Sequence, residues 1–185
     1  MDRRDVVDKA LEVLGAVGLP DLTMRRLGTE LGVQQSALYH HFANKQALLG
    51  AVADAILARG PQSASVAEAG WEERVRACCR DLRTAVLAYP DGADVVSSMF
   101  AFGLGGAAPF CSLERLLGEA GLTPEVAPAA ARTLLHYVYG HAVSQQAREQ
   151  ALRLGAIPDD GAADDFEVGL QLVVDGIRAR LGRGR

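Results

Sequence analysis

Apolar residues recur along most of the chain at the spacing of a helix. Val6, Ala10, Leu14 and Val17 are three or four positions apart, which places their side chains on one helical face. No segment sustains the alternation of apolar and polar residues that predicts a strand. The sequence therefore predicts an all-α fold. The predicted helices cover about residues 6–17, 24–31, 35–42, 45–59, 71–89, 92–99, 111–120, 124–154 and 166–181.

Residues with helix-boundary preferences flank several of these segments. Thr23 is suited to cap the second helix, and Gly32 to end it. Gly18 is suited to end the first helix in the same way. Thr123, followed by Pro124 at the first helical position, predicts the start of the long helix.

The second and third predicted helices form a pattern of their own. Both are short, and the turn between them is brief and contains Gly32. Two short helices joined in this way are typical of a helix-turn-helix, whose second helix enters the major groove of DNA. The segment SALYHHF, residues 36–42, belongs to that second helix.

The orientation of SALYHHF can be predicted at about 100° per residue. With Leu38 and Phe42 turned towards the core, His40 points away from it. Small or polar side chains on that outward side can approach base edges, and longer ones at its flanks can reach phosphates. The remaining positions on or beside the outward face are Ser36, Ala37, Tyr39 and His41.

The adjacent histidines have other interpretations. A metal site is disfavoured because neighbouring helical residues point about 100° apart and cannot readily share an ion. A catalytic role would require a nucleophile or an orienting carboxylate close by. Ordinary exposed surface residues remain the simplest alternative to DNA contact.

Charge and cysteine content further limit the possible functions and locations of the protein. The net charge of −4 argues against broad nonspecific binding of nucleic acid. Residues 1–50 are neutral overall, with six basic and six acidic side chains, so DNA contact there is permitted. The three cysteines, Cys78, Cys79 and Cys111, do not form a disulfide framework. Reduced thiols and a cytoplasmic location are expected, with no cofactor and no membrane partner.

Two parts of the sequence resemble a known family. The segment LTMRRLGTELGVQQSALYHHFANKQALLGAV is similar to the DNA-binding domain of the TetR family of bacterial one-component repressors. The segments YPDGADVV and FEVGLQLVVDGIRARL resemble the C-terminal domain of its tetracycline-repressor branch. The resemblance implies an all-helical homodimer, with two N-terminal domains on a palindromic operator and a C-terminal inducer site. Residues 1–47 are thus expected to be the helix-turn-helix DNA-binding domain, and residues 48–185 the ligand-binding and dimerisation domain.

The resemblance also implies which residues face DNA. Tyr39, His41 and Lys45 match positions that usually contact the sugar-phosphate backbone. The complete set of implied DNA-facing residues is Arg25, Gln35, Ser36, Ala37, Tyr39, His40, His41 and Lys45.

The implied inducer site departs from the tetracycline-repressor pattern. Polar tetracycline-binding positions of that branch fall on Cys78, Leu82, Val96 and Met99, and a metal-linked glutamate falls on Ser144. Since Val96 cannot ligate a metal, a small, largely apolar inducer is expected instead, with no metal. Further candidates for ligand contact are Phe102, Phe110, Leu113, Leu135, His136 and Tyr139.

The long helix is apolar on a wide arc, and the last helix carries Phe166, Leu170, Val173, Ile177 and Leu181 at near-heptad spacing. Pairing these helices between two copies would form a four-helix dimer interface.

The sequence therefore predicts a ligand-responsive regulator, a repressor that the inducer releases, and not an enzyme. Two alternatives stay open: a small-molecule-binding or enzymatic helical domain with a vestigial helix-turn-helix, and a DNA-binding regulator without a small-molecule ligand.

Overall fold

The computed structural model describes residues 1–63, 68–159, 161 and 163–182. These residues form helices and no strand, which confirms the predicted all-α class. The helices are α1 (Arg3–Asp21), α2 (Met24–Glu30), α3 (Gln35–Leu38), α4 (Lys45–Arg59), α5 (Trp71–Leu87), α6 (Gly92–Ala101), α7 (Ala108–Glu119), α8 (Ala127–Arg153) and α9 (Phe166–Gly182).

The chain divides into two compact units. The first unit comprises Met1–Gly60 and Thr84–Ala107, and the second comprises Pro61–Arg83 and Ala108–Arg185. The predicted domain boundary after residue 47 falls inside α4 and stays a prediction.

The first unit is built on a small apolar core. In it α1 packs against α2 and α4, α2 against α3, and α4 against α6. Leu14, Leu27, Leu38, Phe42 and Val52 are all fully buried. Burial of five such side chains is a main source of the stability of so small a unit. The predicted inward direction of Leu38 and Phe42 is thus confirmed.

Side-chain caps fix where α1, α2 and α4 begin. The hydroxyl of Thr23 accepts a hydrogen bond from the backbone N–H of Arg26 at 3.1 Å, as predicted. Asn44 caps α4 in the same way, through the N–H of Ala47 at 2.8 Å. At the start of α1, Asp2 forms a reciprocal capping box.

The regular part of α1 ends at the predicted residue, Gly18. The helix is kinked at Gly18, whose φ of 78° suits glycine, and it then continues to Asp21. A side chain from outside α1 provides the hydrogen-bond acceptor at the kink: Asp91 accepts a hydrogen bond from the backbone N–H of Leu19 at 2.7 Å. The prediction that the first helical run ends at Gly18 is therefore confirmed, and a further short helical stretch follows it to Asp21.

In the second unit α8 packs against both α7 and α9. The buried side chains at its centre include Leu113, Leu134 and Phe166. Charged side chains join α5 to α9 around this core. Arg80 binds both carboxylate oxygens of Glu167, at 2.9 and 2.8 Å.

The long helix begins later than predicted. Residues 123–126 form a turn in which the N–H groups of Val126 and Ala127 both donate to the carbonyl of Thr123. Pro128 explains the difference. In a helix starting at Pro124, it would occupy the fifth position, where proline lacks the N–H that the helix requires. In α8 it lies in the first turn, which tolerates proline.

Candidate nucleic-acid interface and ligand region

The helix-turn-helix of the first unit is held by a close approach of two backbones. Gly32, with a φ of 67°, lies in the turn after α2. Inside α2, a Cβ on Gly28 would lie 3.0 Å from the carbonyl oxygen of Val33 and 3.3 Å from the N of Gln35. The absence of a side chain at Gly28 therefore lets α2 contact the start of α3.

The recognition element is only partly α-helical. Regular α-helix ends at Leu38, and the N–H groups of Tyr39, His40 and His41 donate to carbonyls three residues before them. This bonding is that of a 3₁₀ turn, which advances about 120° per residue. His41 consequently lies nearly one full turn after Leu38, which agrees with its half-buried side chain. The predicted α-helix over residues 35–42 was wrong beyond residue 38.

The predicted DNA-facing residues differ in their exposure. His40 is exposed, as the angular prediction required, and so is Tyr39. The Tyr39 hydroxyl accepts a hydrogen bond from the side-chain amide of Gln35 at 3.1 Å, so the two side chains orient each other. The exposed members of the set are Arg25, Gln35, Ser36, Tyr39 and His40, and the half-buried ones are Ala37, His41 and Lys45.

Arg3 contacts this element and was missed in the sequence analysis. Its Nη1 donates a hydrogen bond to the carbonyl oxygen of His41 at 3.2 Å. Its guanidinium carbon also lies 4.2 Å from the centre of the Phe42 ring, in a cation–π contact. Because 38 residues separate Arg3 from His41, no local pattern in the sequence signals the contact.

Cations without carboxylate partners lie at the starts of three helices in the first unit. Arg3 and Arg4 begin α1, Arg25 is the second residue of α2, and Lys45 begins α4. None of the four forms an ion pair within the part of the chain that the structure describes. The other cations of this unit do form ion pairs, namely Lys9 with Glu12, Arg26 with Glu30 and Arg59 with Asp8.

A cation at a helix N-terminus is unfavourable for the folded chain, because the helix dipole already places positive charge there. In the second unit α5 and α9 follow the usual pattern, with Glu72, Glu73 and Glu167 in their first turns. In the first unit, α1 carries Asp5 in its first turn, whereas α2 and α4 carry no acidic residue there. Arg25 and Lys45 therefore do not serve local helix stability. Such cations are suited to contact phosphate groups.

The ten residues predicted to contact a ligand are divided between the two units. In the first unit, Val96 and Met99 are buried on α6, whereas Phe102 is 65% exposed. In the second unit, His136 is exposed on α8. The other predicted residues of the second unit are buried or half-buried, namely Cys78, Leu82, Phe110, Leu113, Leu135 and Tyr139. These ligand contacts stay predictions.

The most unusual of these side chains is Tyr139. It is buried, and its hydroxyl has no hydrogen-bond partner among the described residues. Burial, with a smaller contribution from nearby Cys78, raises the pKa of Tyr139 well above its usual range. The hydroxyl is therefore protonated at neutral pH and can donate a hydrogen bond.

Family comparisons match both parts of the chain. A family model described as bacterial regulatory proteins, tetR family, matches residues 6–52. A second, described as tetracyclin repressor-like, C-terminal domain, matches residues 65–159. None of the described helices has the length and hydropathy needed to span a membrane.

Individual relatives agree with these matches. The tetracycline repressor protein class A from transposon 1721 of Escherichia coli is 36% identical, over 95% of this chain and 89% of its own length. The crystal structure of Mycobacterium smegmatis BioQ is 42% identical, with a TM-score of 0.85 over 97% of this chain and 99% of that one. BioQ with its natural double-stranded DNA operator is 41% identical, with a TM-score of 0.82 and the same coverage. The chain therefore belongs to the TetR family of bacterial regulatory proteins and is a DNA-binding transcriptional regulator.

Proposed function

We propose that this protein is a cytoplasmic homodimeric repressor that binds a palindromic operator and is released by a small, largely apolar inducer. The observation that carries the DNA-binding part is the set of unpaired cations, Arg3, Arg4, Arg25 and Lys45, at helix starts of the first unit. Double-stranded operator DNA is the proposed partner because a BioQ structure of high similarity contains such an operator.

On the proposed operator, the recognition element divides base contact from backbone contact. Exposed His40 and Ser36 face base edges, whereas Tyr39, His41 and Lys45 contact the sugar-phosphate backbone. Gln35, Ala37 and Arg25 complete the proposed DNA-facing set. Arg3 holds the end of the element in place through its two contacts there.

Dimerisation is proposed through an exposed face of the second unit. On α9, Val168 and Leu172 are 65% and 69% exposed, unusually high fractions for large apolar side chains. On α8, seven of the exposed positions follow one another in alternating steps of four and three, the pattern of a helix-pairing seam, and the other exposed positions lie off this line. These α8 positions are Ala129, Thr133, His136, Gly140, Val143, Ala147 and Gln150.

The seam predicted from the sequence of α9 was the wrong one. Phe166, Leu170 and Ile177 are buried within their own chain, so they are not accessible to a second copy. The adjacent line through Val168 and Leu172 is the exposed one. A wide apolar arc on a helix can pack against the core of its own chain or against a partner subunit. The sequence alone does not show which part of the arc does which.

For the inducer, we propose an apolar molecule and not a metal-chelated tetracycline. The position that corresponds to a metal ligand in the tetracycline-repressor branch is Val96, which is fully buried and offers no donor atom. Met99 and Leu82, at two of the polar positions of that branch, are also buried and apolar. Inducer binding releases DNA by favouring the conformation that does not bind it.

The proposal is tested by titrating the protein with a fluorescent fragment of its own promoter at several salt concentrations. Specific binding should weaken with salt, because each phosphate contact releases counterions. Lys45→Gln should weaken binding to every DNA sequence and reduce the salt slope by about one. The matched control is Lys9→Gln, which removes an ion-paired cation of α1 and should leave both quantities unchanged. Absence of specific, salt-sensitive binding would falsify the proposed function.

A further inference from the structure

A cavity of about 650 Å³ opens in the second unit, between α8 and the segment that leads into α9. Its volume is in the range of small-molecule sites. His136 is the single predicted ligand-contact residue in its lining. Ser144, the position matched to the metal-linked glutamate, also lines the cavity, which therefore adjoins the predicted inducer region while most of its lining differs.

The charge around this cavity is predominantly negative. Glu149, Asp164 and Asp165 line it, against one cation, Arg148. Arg148 is itself 3.8 Å from a further carboxylate outside the lining, that of Asp159. With Arg83, which contacts Asp164 from outside the lining, the described residues in and beside the cavity comprise four carboxylates and two arginines.

Asp164 is fixed in its charged form. Its carboxylate accepts hydrogen bonds from the backbone N–H of Phe166 at 3.1 Å and from Arg83 at 2.6 Å. These two bonds hold the pKa of Asp164 below its usual range. A carboxylate held in this way stays ionised at neutral pH and keeps its position in the wall.

Aromatic rings form the apolar part of the wall, and they are also held in place. The hydroxyl of Tyr137 donates to the carbonyl oxygen of Phe166 at 2.7 Å. His141 lies edge-on to the Phe166 ring, at 5.2 Å between centres. Its Nε2 is 3.4 Å from Asp165 and 3.5 Å from Asp164, so the imidazole lies between the rings and the carboxylates.

Carboxylates next to aromatic rings favour a positively charged ligand with an apolar body. We propose that this cavity binds a small organic cation, a protonated amine whose ammonium group contacts Glu149 and Asp165 and whose apolar part packs on Tyr137 and His141. The rim includes His136 and Gly140, which also belong to the proposed dimer seam. The ligand accordingly lies beside the partner subunit in the dimer.

The test uses two probes of nearly equal shape on the full-length protein, 4-phenylbutylamine and 4-phenylbutan-1-ol. By calorimetry at pH 7, the amine should bind saturably and the neutral alcohol at least tenfold more weakly. The double variant Glu149→Gln with Asp165→Asn should weaken amine binding about five- to tenfold. Glu114→Gln on α7, outside the cavity lining, is the control and should leave it unchanged.

Three results would overturn the proposal: no saturable binding of the amine, equal affinity for the alcohol, or full affinity in the folded double variant. The first result would also be expected if side chains of the partner subunit filled the cavity in the dimer. Circular dichroism and gel filtration establish that the double variant is folded and has the same oligomeric state as the unmodified protein. The promoter titration is independent of these results, so failure of the cation site is distinguishable from failure of the proposed function.

Discussion

Two tyrosines on α8 provide a matched experiment, since one hydroxyl has a partner and the other does not. The hydroxyl of Tyr137 donates to the carbonyl of Phe166 at 2.7 Å. The hydroxyl of Tyr139 is buried without a partner among the described residues. A made hydrogen bond contributes about 1 kcal/mol net, whereas a buried unsatisfied hydroxyl costs about 1–3 kcal/mol. Replacement by phenylalanine should therefore have opposite effects at the two positions.

We expect Tyr137→Phe to lower the free energy of unfolding by about 1 kcal/mol and Tyr139→Phe to raise it by about 1 kcal/mol. The difference of about 2 kcal/mol corresponds to roughly 4–8 °C in melting temperature for a chain of this length. Denaturant titrations must be made at equal protomer concentration, because dimerisation contributes to the measured stability. If Tyr139→Phe proved as destabilising as Tyr137→Phe, the Tyr139 hydroxyl would have a partner in the free protein and the reasoning would fail.

Further predictions concern the dimer seam, a backbone contact and the thiols. Leu172→Glu should shift the protein from dimer to monomer in light scattering, because it places a charge in the exposed apolar face of α9. Gly50→Ala should lower the free energy of unfolding by about 1–3 kcal/mol in denaturant titration, because its Cβ would overlap the carbonyl of Leu104. Exposed Cys111 should react first with a thiol reagent at pH 7, since burial raises the pKa of Cys78 to about 11; equal rates would contradict this.

Local sequence patterns were sufficient where neighbouring residues determine the structure. Thr23 caps α2 as predicted, because a threonine hydroxyl satisfies an N–H only three residues away. The prediction failed at the start of α8, because Thr123 is suited to cap a helix but Pro128 disfavours one that begins at Pro124. A proline inside a helix costs about 3 kcal/mol, more than a cap contributes, so the later start is favoured.

Features that depend on distant contacts were less predictable. The role of Arg3 depends on the carbonyl of His41 and the ring of Phe42, which the fold brings near. The cation cavity combines α8 with residues 163–165, a segment whose acidic composition alone does not indicate a site. Similarly, the sequence of α9 contains two apolar faces, and its periodicity does not indicate which of them is buried in the core of the same chain. The structure buries the face that carries Phe166.

The unpaired cations at the starts of α1, α2 and α4 also have a consequence for the protein without DNA. At α2 and α4, which have no acidic residue in their first turns, Arg25 and Lys45 lie where the helix dipole opposes them, which lowers the stability of the free first unit by about 0.3–1 kcal/mol per charge at low ionic strength. Salt screens this repulsion in the free protein, and the same salt weakens attraction to DNA. An increase in ionic strength should therefore have two opposite effects. It should make the unbound regulator more resistant to unfolding, and it should lower the affinity of the regulator for the operator.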